Sequence, residues 1–423
     1  MVELNSGRVR KVLEDCAYVF PYTSFCIPAS MPPPPPPPPE LTDDLVGEFL
    51  LRIPPDDPAC LLRASLVCTR WRRILADPAF HRRHRALHRT PAVLGFISNA
   101  KEGEPFRSRF VPIDPAYRRP AARDFPCWLV LDCRHGRGLF LTPPDNLVVW
   151  DTLKNERHRL PRSSTPPSAH GVQFNAAGLC AAAAEGCDHR DCHNGPFSVV
   201  FVFSVWISGE WFTFARVYSS ESGDWGEEIV VNHPQVCINI CPSPTTLVGD
   251  ALYFLGDQGY AFEYKLGAQR LSVIDPPPQS MNKSASIFLM SLEDGKLGFA
   301  NVEKKPCLRL CLWSSSRETS DGVAQWAPGR AIELETLLPD GALPPPLLTC
   351  NRRQHRKSIA KLVAFAEGTN VIFVGTTTND GALYIFQLNS GRVKKVSDSC
   401  NDIFPYTSFC ISVMDATSTD KPN

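Results

Sequence analysis

The sequence predicts a small all-α module of three helices, followed by a mostly β domain arranged as a β-propeller of about six blades. Two observations predict this order. Helix-capping signals and apolar residues at helical spacing are concentrated in residues 41–89. From about Pro91 to Met414 the chain consists of short apolar runs separated by Gly, Pro, Asn and Asp, which is typical of strands joined by turns. A β-sandwich is the alternative for this second part.

Capping residues mark where each helix of the first module begins. Thr42 is a suitable N-cap, and Asp43-Asp44 place negative charge in the first turn, where it suits the helix dipole. Asp57-Pro58 opens a second helix, and Asp77-Pro78 starts a third, basic segment. A module this small buries little surface by itself, so its apolar residues make it a candidate for docking on another protein. A small cap packed on the β domain is the other interpretation.

The order of residues in this module resembles an F-box. It runs from Leu41 and Leu45 through Ile53-Pro54 to Leu66-Val67-Cys68 and Trp71-Arg72. F-box proteins use such apolar positions to bind the Skp-family adaptor of the Skp–cullin–F-box ubiquitin ligase. The resemblance implies an adaptor-binding face made of Leu41, Leu45, Leu50, Ile53, Pro54, Val67 and Trp71. Thr42 stands where the family usually has proline, and threonine can still cap the helix.

Composition narrows the class of protein. At 423 residues the chain has room for more than one domain, and its 44 basic and 44 acidic residues give a net charge of zero. We therefore expect neither nucleic acid nor a membrane as a partner. The N-terminus lacks the basic-then-apolar stretch of a signal peptide, so the 16 cysteines are expected to be reduced, in a cytoplasmic and/or nuclear protein. The longest apolar run, Phe197 to Ile207, suits a buried strand.

The two ends of the chain share a repeat. Leu4 to Ile27 and Leu388 to Ile411 are identical at 17 of 24 positions, with a constant offset of 384 residues. We interpret residues 1–30 as a duplicated C-terminal tail that is disordered or a gene-model artefact, with Met31 as the true start. A working strand of the β domain is the alternative. Residues 31–40 are then a polyproline linker, 41–89 the F-box, 91–415 the propeller-like domain and 416–423 a disordered tail.

The predicted strands of the β domain fall into sets of four, each spanning roughly 40 to 60 residues. Repeated small antiparallel sheets favour a propeller, because radial closure protects their edges. Three local motifs in this region resemble the F-box-associated, propeller-like domain of plant F-box proteins, particularly the large grass subfamily. They are Leu147–Asp151, Gly186–His193 with the following Gly195-Pro196-Phe197, and Phe404–Phe409.

A cluster of cysteine and histidine gives the best candidates for metal chemistry. Cys187, His189, Cys192 and His193 are four possible zinc ligands within seven residues. Their spacing is weak evidence, since the segment has no CxxC knuckle and adjacent residues of a strand point in opposite directions. We interpret the segment as a polar loop before a buried strand, and we predict no metal and no cofactor. Cys180 is assigned to the core. The histidines near turns, His135, His158 and His170, are assigned to the solvated surface.

The predicted function is substrate recognition for a Skp–cullin–F-box ubiquitin ligase. The F-box would dock on the Skp-family adaptor and through it on a cullin, while the β domain would hold a target protein. The sequence contains no GxSxG, HExxH or phosphate-loop motif, so we predict a non-catalytic subunit. The main alternative is a propeller interaction scaffold with a non-functional F-box. A metal- or ligand-binding propeller with activity at the 187–193 loop is a third hypothesis.

Overall fold

The computed structural model describes the chain from residue 41 to residue 408, with gaps. The described residues are 41–55, 58–88, 90–100, 107–114, 124–152, 154–162, 173–185, 187, 189, 192, 195–233, 243–277, 287–292, 294–303, 309–316, 325–339, 360–376, 381–399 and 402–408. From Asp43 onward these residues belong to one compact unit. The predicted N-terminal repeat, polyproline linker and C-terminal tail lie outside the described residues.

The structure describes four helices in the first module, one more than predicted. They are α1 Asp43–Leu51, α2 Pro58–Ser65, α3 Thr69–Ala76 and α4 Pro78–His88. The extra helix arises because extended backbone at Cys68 separates α2 from α3. The Sγ atom of Cys68 then accepts a hydrogen bond from the backbone N–H of Trp71, at 3.5 Å, and caps α3. As predicted, α1 begins with Asp43 and Asp44 in its first turn.

Polar contacts connect α1 to the later helices. Arg70 and Arg73 of α3 both donate to the Asp43 carboxylate, and the bond from Arg70 lowers the pKa of that carboxyl. At the other end of α1, ring nitrogens of His84 and His88 lie 3.0 Å and 2.7 Å from the backbone oxygens of Ile53 and Leu51. These contacts satisfy carbonyls that a helix end leaves without intrahelical partners.

The described part of the β domain consists of six antiparallel sheets, which confirms the propeller of six blades. Blade 1 contains β1 Ala92–Ala100, β2 Arg107–Pro112 and β3 Asp124–Pro126, together with β25 Asp402–Ser408. Blade 2 contains β4 Leu129–Arg134, β5 Arg137–Thr142, β6 Asn146–Asp151 and β7 Glu156–Arg159. Blade 3 contains β8 Gln173–Cys180, β9 Phe197–Ile207, β10 Glu210–Ser219, β11 Asp224–Trp225 and β12 Ile229–His233. Its central strand β9 is the apolar run predicted from the sequence.

The remaining three blades follow in chain order. Blade 4 contains β13 Thr246–Val248, β14 Ala251–Leu255, β15 Ala261–Lys265 and β16 Arg270–Ile274. Blade 5 contains β17 Ile287–Ser291, β18 Leu297–Glu303, β19 Arg309–Ser316 and β20 Gln325–Glu333, and the short helix α5 Leu334–Leu337 follows it. Blade 6 contains β21 Ala360–Ala366, β22 Val371–Thr376, β23 Leu383–Gln387 and β24 Val393–Ser397.

The C-terminal copy of the sequence repeat closes the ring. It supplies β25, which pairs antiparallel with β1 from Ala92↔Ser408 to Asn99↔Asp402. The first and last parts of the β domain therefore share one blade. A hydrogen bond of 2.7 Å between the hydroxyls of Tyr406 and Thr152 joins this closing strand to blade 2. The innermost strands of neighbouring blades, among them β25, β4 and β8, contact one another around the axis.

Strand direction gives the propeller two distinct ends. The innermost strands finish at one end, where the His135-Gly136 turn follows β4 and the Glu367–Asn370 turn follows β21. The helical module enters the propeller at this same end, because Pro91 immediately precedes β1 and lies beside Gly368. We call it the F-box end. The opposite end, the far end, holds the turn Ser208-Gly209 between β9 and β10.

A buried ion network crosses the centre of the propeller. Arg134, on the innermost strand of blade 2, donates to the Glu367 carboxylate of blade 6 at 2.7 Å and to the backbone oxygen of Thr245 at 2.9 Å. Its guanidinium also lies 3.3 Å from Asp132, which accepts a hydrogen bond of 2.9 Å from the backbone N–H of Gly178 in blade 3. The network therefore joins strands of several blades through two buried charged side chains.

The prediction of reduced cysteines can be compared with the described residues. All eight cysteines that the structure describes are free thiols. In the basic helix α4, Arg82 and Arg83 are exposed but His84 and Arg85 are buried, because α4 turns that side toward the helical core. No helix in the described ranges is long and apolar enough to cross a bilayer.

Candidate functional site

Part of the predicted docking face is exposed apolar surface. Leu45 on α1 is 56% exposed, and Val67, in the turn between α2 and α3, is 64% exposed. Leu41 and Pro54 are exposed as well. Apolar side chains of this size are expensive to leave in water, which makes such a surface a candidate for binding another protein.

Two exposed residues belong with this surface although the sequence analysis did not select them. Phe49 is 61% exposed and Leu66 is 57% exposed. Phe49 stands four residues after Leu45, so both lie on one face of α1. The Phe49 ring lies 6.4 Å from the ring of half-buried Trp71. We define the F-box surface as Leu45, Phe49, Leu66, Val67 and Trp71.

The structure corrects the placement of Leu50. Its side chain is 0% exposed and lies in the helical core with Val46 and Leu75. Leu50 and Val46 are four residues apart on the face of α1 opposite Leu45, so they support the helix and offer no surface to a partner. Ile53 is half-buried against the same core. The F-box resemblance alone selected residues from two faces of α1. Their positions along the helix show that Leu45 is on the exposed face and Leu50 on the buried face.

A compact group of cysteines and histidines lies at the F-box end. It is formed by His135, Cys180, His189 and Cys192, whose candidate ligand atoms all lie within 4.8 Å of one another. His135 occupies the β4–β5 turn of blade 2, and Cys180 is the last residue of β8 in blade 3. The other two belong to the connection from β8 to β9. His189 and Cys192 were predicted as candidate zinc ligands. The structure places them beside Cys180, which was assigned to the core, and His135, which was assigned to the solvated surface.

The geometry of this group is that of thiols facing imidazoles. The Sγ atoms of Cys180 and Cys192 lie 3.1 Å and 3.7 Å from the Nδ1 atom of His189. The rings of His135 and His189 stack with centroids 4.0 Å apart. A hydrogen bond from Cys180, together with His189, lowers the pKa of Cys192 to about 5, while the same bond raises the pKa of Cys180. Burial lowers the pKa of His135 well below its usual value.

The structure also corrects the assignment of His135 to the solvated surface. Its Nδ1 atom is buried and has no hydrogen-bond partner among the described residues, because the turn directs the ring toward blade 3. Cys180 is buried, as predicted, but its sulfur faces His189. Cys187 accepts a hydrogen bond from the backbone N–H of His189 at 3.4 Å. His193 and His170 lie outside the described residues.

Apolar residues are also exposed at the far end of the propeller. Trp206 and Ile207 end β9, and both are exposed. The ring of Trp206 contacts that of Trp211 across the hairpin, with centroids 5.4 Å apart. These side chains form the far-end hairpin surface, which is separated from the F-box end by the length of β9.

Comparison with known proteins identifies the helical module. A model of the F-box domain matches residues 39–83. No curated protein matches the chain. Among solved structures, the chain is similar to a crystal structure of the mitotic checkpoint complex, with 12% identity and a TM-score of 0.32 over 63% of this chain and 61% of that one. It is also similar to a structure from a study of two prolyl endopeptidases, with 12% identity and a TM-score of 0.34 over 73% of this chain and 39% of that one.

These structural similarities are too low to support a functional argument, and the chain spans less than two thirds of either structure. The chain contains an F-box domain, followed by a mostly β domain with a six-bladed propeller arrangement.

Proposed function

We propose that this protein is the substrate-recognition subunit of a Skp–cullin–F-box ubiquitin ligase. The observation that carries the proposal is the F-box domain at residues 39–83, whose helices present the exposed F-box surface. F-box domains generally bind Skp-family adaptors, and an F-box joined to a propeller fits a substrate receptor. The resemblance to plant F-box-associated domains makes a plant adaptor the first partner to test.

The helices are built to hold that surface in place. Leu50, Leu51 and Leu75 fill the core beneath it, each no more than 4% exposed. The ion pairs of Asp43 with Arg70 and Arg73 fix α1 against α3 at the exposed side. A preformed surface reduces the entropy lost when a partner binds, since few side chains need to be ordered.

The proposed mechanism is positioning without bond chemistry in this chain. F-box proteins are typically non-catalytic adaptor subunits. The adaptor and cullin would bring a ubiquitin-charged enzyme near a target protein held by the propeller. Tethering of this kind raises the effective concentration of target lysines near the enzyme. We propose a cytoplasmic and/or nuclear location for this assembly.

Adaptor binding is tested with single substitutions on the F-box surface. Leu45→Asp and Val67→Asp each place a charge on an exposed apolar position, and each should weaken binding of a purified plant Skp-family adaptor by about 2 kcal/mol, or roughly 30-fold. Leu87→Asp is the matched control, because Leu87 is a 58%-exposed leucine on α4 outside the defined surface. Isothermal titration calorimetry with circular dichroism of each variant provides the measurement.

Three outcomes are decisive. Binding by the wild-type chain and the control, with loss in both surface variants, supports the proposal. Equal loss of adaptor binding in all three variants would show that binding does not depend specifically on the F-box surface. A folded wild-type chain that binds no adaptor would instead favour the propeller scaffold with a non-functional F-box.

We propose the far-end hairpin surface as the contact for the target. It points away from the F-box end, so a target bound there would leave the adaptor surface accessible. The target should accumulate in cells from which the gene for this protein is deleted, and it should bind the wild-type chain. It should not bind a Trp206→Ser, Ile207→Ser double variant that still binds the adaptor. Unchanged binding of that protein would place the target contact elsewhere.

A further inference from the structure

We propose that His135, Cys180, His189 and Cys192 bind one zinc ion that joins blade 2 to blade 3. These residues come from two blades and three chain segments, yet their candidate ligand atoms lie within 4.8 Å of one another. Two thiolates and two imidazoles are a common ligand set for zinc in proteins.

The distances suit a small tetrahedral ion. With Zn–S bonds of about 2.3 Å and Zn–N bonds of about 2.0 Å, ligand atoms in a tetrahedral site lie about 3.3 to 3.8 Å apart. The separations of 3.1 Å and 3.7 Å between His189 Nδ1 and the sulfurs of Cys180 and Cys192 lie in or close to this range. Separations of up to 4.8 Å would have to shorten by at most about 1 Å to reach this range.

The donor atoms also select the metal. Calcium and magnesium prefer oxygen ligands, and the four proposed ligands supply none. A mixture of thiolate and imidazole suits zinc. Four protein ligands leave no open position on the ion, which is typical of structural zinc and not of catalytic zinc. The proposed ion therefore holds the fold together and supplies no reaction.

An independent observation at His135 points to a ligand. The buried Nδ1 atom of this ring has no hydrogen-bond partner among the described residues, and a polar atom left in that state is destabilising. Coordination would satisfy it. His135 lies in the left-handed backbone region, with φ of 53°, as its two-residue hairpin turn requires.

Neighbouring groups complete the surroundings of the site. Arg137, two residues after His135, donates to the backbone oxygen of Gly195 at 2.6 Å and so anchors the end of the β8–β9 connection. The backbone N–H of His189 donates to the Cys187 sulfur, which orients the backbone that carries the His189 ring. Outer contacts of this kind orient metal ligands. Cys187 is assigned to this supporting role because it lies outside the group of four.

The test measures zinc in the full chain, purified under reducing conditions without chelator. Elemental analysis should give about one zinc per folded chain. His135→Asn and Cys180→Ser should each bind less than a tenth as much. Asparagine is chosen because it tolerates the left-handed turn that His135 occupies. Cys68→Ser and His81→Asn are the matched controls, since they change a cysteine and a histidine of the helical module and should retain the metal.

A spectroscopic measurement covers the case in which the variants do not fold. Wild-type chain reconstituted with Co²⁺ should show intense visible bands of a tetrahedral site with thiolate ligands, and zinc should remove them. A folded wild-type chain with neither zinc nor such bands overturns the proposal. Zinc retained by both ligand variants also overturns it. A Cys180–Cys192 disulfide found by mass spectrometry after thiol alkylation would overturn it in favour of a redox pair.

Discussion

Arg134 should be among the most important polar side chains for the stability of the propeller. Arg134→Met keeps most of the side-chain length but removes the charge that faces Asp132 and Glu367. The side chain of Asp132 is 4% exposed, so it would remain as a buried carboxylate without its cation. Removing one partner of such a pair typically costs about 3 to 5 kcal/mol. Since whole domains are stable by about 5 to 15 kcal/mol, the loss should be large.

The matched control is the exposed ion pair between Arg109 and Asp124. These side chains are 58% and 52% exposed, and a pair of that kind contributes about 1 kcal/mol or less. Urea unfolding followed by tryptophan fluorescence compares Arg134→Met and Arg109→Met with wild type. Equal losses in the two variants would refute the reasoning. The zinc content of each variant is measured as well. Unchanged zinc would show that the loss of stability comes from the ion network and not from displacement of the neighbouring His135.

The pH dependence of the Arg134→Met loss provides a second check. Burial raises the pKa of Asp132, and Arg134 opposes that shift, so removing Arg134 should raise the pKa further. A carboxyl whose pKa is higher in the folded state than in the unfolded state destabilises the fold above the folded pKa. That penalty disappears below the unfolded pKa, where both states are protonated. The deficit should therefore shrink between pH 7.5 and pH 4. A deficit independent of pH would show that the Asp132 charge is not its cause.

Two further predictions concern packing. Leu50→Ala should cost about 2 to 5 kcal/mol by opening a cavity in the helical core, whereas Leu87→Ala at an exposed position should change stability by less than about 0.5 kcal/mol; thermal unfolding measures both. Gly95→Ala places a methyl carbon 2.4 Å from the Phe110 ring and 2.6 Å from a backbone oxygen of β2, so it should lower stability by about 1 to 3 kcal/mol. The control Gly178→Ala meets no atom within 4 Å and should unfold near the wild-type temperature.

Strands could be predicted where the pattern of apolar residues in the sequence matches the burial of the strand in the fold. β9 coincides with the apolar run Phe197 to Ile207. Its centre, residues 199–203, is buried at every position, and a strand covered on both faces needs apolar residues there. The closing strand was predictable in a different way. Only one copy of the repeat can occupy the position beside β1, and the C-terminal copy does so from Asp402 to Ser408.

The metal candidates show where local pattern is insufficient. Cys180 and His135 are 45 positions apart in the sequence, and no spacing rule connects a β4–β5 turn to the end of β8. They meet because neighbouring blades pack side by side. One signal was available: His135-Gly136 lies between two strands, and a two-residue hairpin turn exposes its first side chain at the edge of the blade. The sequence does not show which blades are neighbours, so this signal could not identify the residues that lie beside His135.

The proposed zinc site and the proposed target contact lie at opposite ends of one strand. β9 begins at Phe197, just after the loop with His189 and Cys192, and ends at the exposed Trp206 and Ile207. The two ends are roughly 34 Å apart at ~3.4 Å per residue. An ion that fixes the start of β9 against blade 2 would thus restrain the strand carrying the far-end hairpin. Loss of zinc should therefore lower the stability of the propeller. It should weaken target binding only indirectly, by releasing the start of β9 from blade 2. Adaptor binding at the F-box surface should remain unchanged.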